Sequence, residues 1–351
     1  MRTGSAHACA MFCAMLAGAV LLAVTTSCRA EPPRRLTIVS WNVENLFDAD
    51  DDPGNPGDDE FTKTSWRRWT PERYRVKLER LASVIARMSP DILCLSEIEN
   101  RRVLDDLNRV LGKRYHKAFA HIVHREGPDH RGIDVAMLAR AAPSGVRWLT
   151  PVPGQREVIV ATFRQGGQPL VVIANHWKSH WGSAAEAERI RATEARAVRA
   201  EIDLTLKNEP GTAVIVAGDF NSDFDAPVMR NELRSVDCRA CVVSNAPGDA
   251  LFNLHATLPV AERGTIYYRA GSTWNTFDSI SLSRSLLPEC APPEGWRWKA
   301  GEYDVVRYPG MQDEDGHPRP YRVVRKSGSR HLEMIEGYAD HFPVKLVLER
   351  P

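Results

Sequence analysis

The sequence predicts an α/β protein built as two β-sheets packed face to face, with helices on the outside. Three observations carry that expectation. Short apolar, β-branched runs recur along the 351 residues and end abruptly in polar side chains. Helical periodicities fall between them, and a strand–helix–strand order appears twice, with antiparallel strands in between. A hydrophobic content of 43% can fill such a core, and no short-period repeat, low-complexity tract or strong internal boundary divides the chain. The formal charge of +1 excludes the global basic field of non-specific nucleic-acid binders, so any polyanion contact must come from a local patch.

Residues 1–30 follow a different rule. Arg2 is the sole charge before Cys28, and Ala8 to Val24 is almost continuously apolar before Thr25, Thr26 and Ser27. The run is short for a spanning helix and its flank is of small residues, which fits an export signal cleaved after Ala30. Lipidation at Cys28 is the competing ending and would tether the chain to a membrane. Residues 31–351 then form one domain, secreted, periplasmic or tethered, with no transmembrane helix, near-neutral charge and an expected monomeric state. Cys94 sits in an apolar strand as a small core residue. Cys238, Cys241 and Cys290 remain, and in an exported protein a disulfide within this trio is expected, with the pairing left open.

Leu36 to Trp41 is the opening strand and ends in Asn42-Val43-Glu44-Asn45. Six aspartates between Asp48 and Asp59 stand among Pro and Gly. Pro53 falls where an EF-hand needs glycine, so this run reads as a solvated acidic loop. Lys63, Arg67 and Arg68 interleave with Trp66 and Trp69, as a grip for nucleic acid or a lid on the sheet edge. Thr70-Pro71 opens a helix whose Tyr74, Leu78, Leu81, Ile85 and Met88 share a face, and Pro90 ends it. Asp91 to Glu97 is a second strand, followed by a helix from Asn100 to Leu111 that Gly112 closes. Arg131-Gly132-Ile133-Asp134 leads into a strand reaching Leu138. Glu157 to Phe163 and Pro169 to Ala174 flank Gln165-Gly166-Gly167-Gln168 as a hairpin, and the second strand ends in Asn175-His176. Ser183 with Glu186 forms a capping box for a helix reaching Lys207. Thr212 to Ala217 is the apolar strand behind Gly218-Asp219-Phe220-Asn221. Ser279 to Leu282 follows Phe277-Asp278, and residues 288–330 read as a long surface excursion. Val344 to Leu348 is the last strand, after Ala339-Asp340-His341.

Asn42, Glu97, His176, Asp219, Asn221, Asp278, Asp340 and His341 thus all stand at strand ends, where α/β proteins place their ligands. Alone, each has a bland reading as a turn former, a cap or an ion-pair member. Converging on one rim, the carboxylates would repel one another, and a divalent cation relieves that repulsion. Oxygen donors without cysteine favour Mg²⁺ or Mn²⁺. Asp278 can orient His341 so that its free ring nitrogen takes a proton from water. His176, Asn221 and a metal on Glu97 then stabilise the charge of a pentacoordinate phosphate. The expected reaction is in-line attack of a His-activated water on a phosphodiester.

These motifs also run in a recognisable order. Ser40-Trp41-Asn42-Val43-Glu44-Asn45-Leu46-Phe47, Leu95-Ser96-Glu97, Arg131-Gly132-Ile133-Asp134, Asn175-His176, Gly218-Asp219-Phe220-Asn221, Phe277-Asp278 and Ala339-Asp340-His341 together resemble the endonuclease/exonuclease/phosphatase superfamily over nearly all of residues 35–350. That superfamily includes pancreatic-type deoxyribonuclease, abasic-site endonucleases, sphingomyelinases and inositol polyphosphate 5-phosphatases. The resemblance implies a four-layer α/β/β/α sandwich. It implies that Glu97 is the principal metal ligand with Asn42 beside it, and that Asp340 is a further metal-binding or His-supporting carboxylate. His176 and Asn221 would touch the scissile phosphate, Asp219 would orient the nucleophile, and Asp278–His341 would be the base unit. Arg131 and Asp134 would lie near the site. Ala339 stands where the family often has Ser, a change of small effect.

In its opening motif and leader the chain is most similar to exported bacterial nucleases of this superfamily, which makes DNA or RNA the expected partner. A lipid-headgroup phosphodiesterase of the sphingomyelinase type is the alternative, although no long aromatic hairpin suited to membrane insertion is legible. The Trp-Cys-Asp-Arg run of the inositol phosphatases is missing, since Asp278 follows Trp274-Asn275-Thr276-Phe277. A catalytically dead binding protein would be expected to have lost Glu97, Asp219 or His341, and all three are present.

Overall fold

The computed structural model describes residues 34–164, 167–244, 250–325 and 332–350. The leader, with Cys28, and Gln165-Gly166 of the hairpin turn lie outside them. β1 (Arg35–Leu46) is followed by α1 (Pro71–Met88), β2 (Ile92–Ile98), α2 (Arg101–Tyr115), β3 (His121–Val123) and β4 (Asp134–Ala139). β5 (Gly145–Leu149), β6 (Val158–Arg164) and β7 (Pro169–His176) lead through α3 (Ala184–Asn208) to β8 (Ala213–Asp219). Then come β9 (Ser235–Val236), α4 (Arg239–Ser244), β10 (Leu251–Asn253), β11 (Ile266–Tyr268), β12 (Thr273–Asn275) and β13 (Asp278–Leu282). β14 (Arg297–Val305), β15 (Tyr321–Arg325), β16 (Leu332–Glu336) and β17 (Val344–Glu349) complete the fold.

One sheet runs β14-β17-β1-β2-β4-β3 and the other β5-β6-β7-β8-β13-β10-β9. The pairs β1/β2 and β7/β8 are parallel, each joined through a helix, and antiparallel neighbours flank them, so both sheets are mixed. Side-chain alternation explains the layering. In β7 and β8, Val172, Ala174, Ile215 and Ala217 belong to the core between the sheets. Their alternates Val171, Ile173, Val214 and Val216 pack with Ala195, Val198 and Ile202 of α3. On the other flank, α1 buries Leu78, Leu81, Ile85 and Met88. The result is an α/β/β/α sandwich.

Several local expectations change. Helix α2 runs past Gly112 to Tyr115, and His116 takes the left-handed stop at φ 55°. Gly112 is small for another reason: a Cβ there would stand 3.2 Å from the Ala118 Cβ. Only half of the capping box forms, because Ser183 accepts from Glu186 N while the Glu186 carboxylate pairs with Arg189. The described part of the run from Pro288, residues 288–325, is more than a surface excursion. β14 is the edge strand beside β17, Trp296, Trp298 and Tyr303 are buried, and Tyr321 of β15 meets Trp69 edge-on. In β14 the charged Lys299 and Asp304 are exposed while Trp298, Tyr303 and Val305 are buried, and those charges disguised the apolar positions. Asp48 and Asp58 are buried, so the acidic loop is only partly solvated. Cys238 pairs with Cys241, while Cys94 and Cys290 are free. Among the described residues no helix is long and apolar enough to cross a membrane.

Candidate active site

Strand register brings the polar termini together. His176 pairs with Asp219 across β7/β8, and Asp219 with Asp278 across β8/β13. Gly218 permits the close approach: a Cβ at that position would lie 2.2 Å from Asn175 O. At the ends of their strands, Glu44, Asn45, Glu97 and Asn221 take φ values of 56°, 49°, 64° and 46°. Left-handed backbone costs such residues about 1–3 kcal/mol each, strain that concentrates where function needs a particular side-chain direction.

Asp219 is the hub. Asn42 Nδ2 donates to Asp219 Oδ2 at 2.9 Å and to Glu97 Oε1 at 3.3 Å. The same Asp219 oxygen lies 3.7 Å from His176 Nε2 and 3.9 Å from His341 Nε2. On the far side of the ring, His341 Nδ1 lies 2.7 Å from Asp278 Oδ2. Glu97 and His341, 244 positions apart in number, therefore share one connected site. Asn221 fastens its edge, its N–H donating to Asp219 Oδ1 at 2.9 Å and its Nδ2 to Trp177 O at 3.0 Å.

The charges in this cluster are strongly biased. Burial opposes a charge on His341, yet the Asp278 and Asp219 carboxylates overcome it and hold the imidazole pKa well above its ordinary value. His176 goes the other way: burial, with Arg156, Arg131 and His341 nearby, holds it well below and keeps the ring neutral. Burial pushes the Asp219 carboxyl up, against the pull of His341.

Other candidates sit differently. Asn42 accepts from Glu44 N through its amide oxygen at 3.0 Å, while its Nδ2 fixes the two carboxylates. Asp340 is held by Arg322 Nη1 at 3.1 Å; burial would raise its pKa, but Arg322, His341 and Lys77 bring it below the usual range. Arg131 reaches the site, its Nη2 donating to Asn45 Oδ1 at 2.7 Å. Asp134 does not: it pairs with His124 Nε2 at 3.2 Å and accepts from Gly127 N at 3.0 Å, which holds the segment carrying Arg131. Arg67 is bound to Glu60 and lies over the Phe61 and Trp66 rings. Trp69 is core, whereas Arg68 and Lys63 are exposed.

Sequence reading missed a second layer. Glu44 is buried, with Tyr321 N donating to it at 2.8 Å, Arg322 Nε 3.2 Å away and the buried Lys77 Nζ 4.0 Å away. Lys77 had a signal: it interrupts the apolar stripe of α1 between Tyr74 and Leu78. Arg156, buried and paired with Asp129 at 3.0 Å, donates to His176 O and Trp177 O, and nothing in its neighbourhood of sequence announces this.

A hard divalent cation fits the oxygen-rich side of this rim. Glu97 accepts from the neutral Asn42 amide and from Asn45 N at 2.8 Å, and the same amide ties it to Asp219, whose carboxylate clusters with Asp278 and His341 without cysteine in the set.

A sequence profile described as the Endonuclease/Exonuclease/phosphatase family matches residues 37–350. No curated protein matches the sequence significantly. Among solved structures, a humanized D. rerio TDP2 carrying 14 mutations is similar with a TM-score of 0.53 at 17% identity, covering 90% of this chain and 99% of that one. The mannosyl-6-phosphatase of Bacteroides thetaiotaomicron VPI-5482 aligns with a TM-score of 0.53 at 17% identity, over 89% and 99% of the two chains. Beta toxin of Staphylococcus aureus gives 0.53 at 15% identity, again over 89% and 99%. At such identities these structures speak for the fold alone, and they agree with the sandwich described above. With the profile spanning nearly the whole described fold, the chain belongs to the endonuclease/exonuclease/phosphatase family and is a phosphoesterase of that metal-dependent kind.

Proposed function

We propose that this phosphoesterase is an exported nuclease that uses Mg²⁺ or Mn²⁺ to hydrolyse phosphodiester bonds of DNA or RNA. The observation that carries the hydrolytic part is Asp219 Oδ2, shared among Asn42, His176 and His341 with Asp278 behind. A water lodged between Asp219 and His341 Nε2 passes its proton into that pair. Asp278 and Asp219 favour the charged ring, so Asp219 Oδ2 takes the proton while the ring is charged, and His341 Nε2 takes it when the ring is neutral. Asp278 keeps the ring in orientation, and neutral His176 supplies a hydrogen-bonding group for a phosphoryl oxygen. Glu97, with Asp219 beside it, would hold the ion, which when bound polarises a phosphoryl oxygen.

Nucleic acid is favoured by what surrounds the cluster. Trp181 is 84% exposed and Tyr268 61% exposed, and Arg68 and Lys63 are exposed as well, which gives rings for base stacking and cations for phosphates. Trp181 follows His180, whose Nε2 lies 2.8 Å from Asn221 O. Tyr268 ends the strand whose Ile266 bridges to His341. A lipid-headgroup reading draws on the likeness to beta toxin, but the β11/β12 hairpin has only three-residue strands to insert. Residues 31–351 with Mg²⁺ are expected to nick plasmid DNA or cleave RNA. Intact nucleic acid alongside cleaved sphingomyelin or bis-nitrophenyl phosphate would reject the nuclease. Fractionation with sequencing of the mature N-terminus tests export, cleavage after Ala30 and a lipid on Cys28, and size-exclusion chromatography tests the monomer.

A further inference from the structure

We infer that the loop carrying Asp51, Asp58 and Asp59 binds a second hard divalent cation, of the calcium class. One carboxylate oxygen from each of the three residues lies within 4.8 Å of the others. Acidic loops gather on surfaces without any ion, so closeness alone would say little. Asp58 adds an independent observation. It is 1% exposed, its Oδ2 accepts from Asp52 N at 2.8 Å, and its Oδ1, buried as well, meets no donor among the described residues. A buried carboxylate oxygen without a partner is destabilising unless something completes it. Burial pushes the Asp58 carboxyl pKa up, and Asp51, Asp52 and Asp59 add to that, as expected of a group held among like charges.

The donor chemistry selects the ion. All three ligands are oxygens, which favours Mg²⁺ or Ca²⁺ over softer metals. Asp51 and Asp59 are exposed, so water can supply further ligands to an ion that accepts 6–8 oxygens in loose geometry. The loop also leans on the active site. A Cβ at Gly57 would lie 2.0 Å from Arg131 O, and one at Gly132 would lie 2.2 Å from the Asn55 side chain. Arg131 reaches Asn45, and Asn45 N donates to Glu97. An ion that stiffens the loop therefore steadies the wall behind Glu97.

The test uses the full chain with Glu97→Gln, which removes the active-site carboxylate, titrated with Ca²⁺ by calorimetry. The expected result is one site with Kd at or below roughly 10⁻³ M, weakened about tenfold or more by adding Asp51→Asn with Asp59→Asn. A Ca²⁺-induced rise in Tm should weaken in parallel. Asp58→Asn is expected to act in the same direction, but it alters a buried position, so the exposed pair is decisive. Absence of binding at that concentration, or unweakened binding in a folded Asp51→Asn, Asp59→Asn chain, overturns the proposal.

Discussion

Two neighbouring glutamates at the rim meet opposite fates. Glu44 is buried and faces Lys77, Arg322 and the Tyr321 N–H. Glu97 is partly exposed, and its hydrogen-bond donors, the Asn42 amide and the Asn45 N–H, are neutral. Both sit on left-handed backbone. The first belongs to a locked half, with Asp340, in which every carboxylate has a cation supplied by the chain itself. Glu97 belongs to an open half, with Asp219, His176 and His341, whose negative charge awaits something from outside. At an acidic rim, then, the candidate ligands are the carboxylates without a resident Lys or Arg. Charge type alone would have ranked Asp340 equal to Glu97.

The sharpest way to break this contrast is His341→Ala, expected to lower kcat about 10²–10⁴-fold while far-UV circular dichroism stays unchanged. Survival of activity would remove the open half from the chemistry. Lys77→Met attacks the locked half and should destabilise the fold by about 3 kcal/mol in urea titration, since it takes a buried cation from beside a buried carboxylate. An unchanged unfolding midpoint would show that Glu44 does not need it. Glu97→Gln is expected to raise the Mg²⁺ concentration for half-maximal activity about 10–100-fold, with Arg322→Ala lowering Tm and leaving that concentration alone. A swap of these two outcomes would invert the assignment of the halves. The most gradual effect concerns His255, buried like His341 but bonded to the neutral Tyr303 hydroxyl and Arg263 carbonyl. Burial lowers its pKa from 6.5 to about 4. The unfolded chain therefore takes up the proton first, and the stabilisation present above pH 6.5 is lost as pH falls toward 4. The slope should approach about 1.4 kcal/mol per pH unit and flatten in His255→Asn.

Much of the fold was legible because its strands are apolar to the last residue and then stop at a polar one. Thr212 to Ala217 followed by Asp219 is the plainest case, and Leu170 to Ala174 followed by Asn175-His176 is another. What could not be read was register and direction. Asp219 faces Asp278 because β13 runs antiparallel to β8, and a shift of one residue would have turned both away. Asp134 opens a similar run yet spends its carboxylate on His124 and Gly127, a choice made by a loop of no periodicity. Arg322 was hidden for a different reason. It comes from β15, a charge-rich strand paired with β16, and no spacing in the sequence links it to Glu44.

The place of β17 has a consequence for how this enzyme comes into being. It slots between β14 and β1, and His341 precedes it by three positions while receiving the Trp41 indole on its carbonyl. Asn42 and Glu97 leave the ribosome well before the imidazole, so a chain clipped ahead of His341 carries the acidic rim without that ring. Such a fragment should be inert toward phosphate esters, and the hydrolase is armed only once β17 has zipped in between β14 and β1.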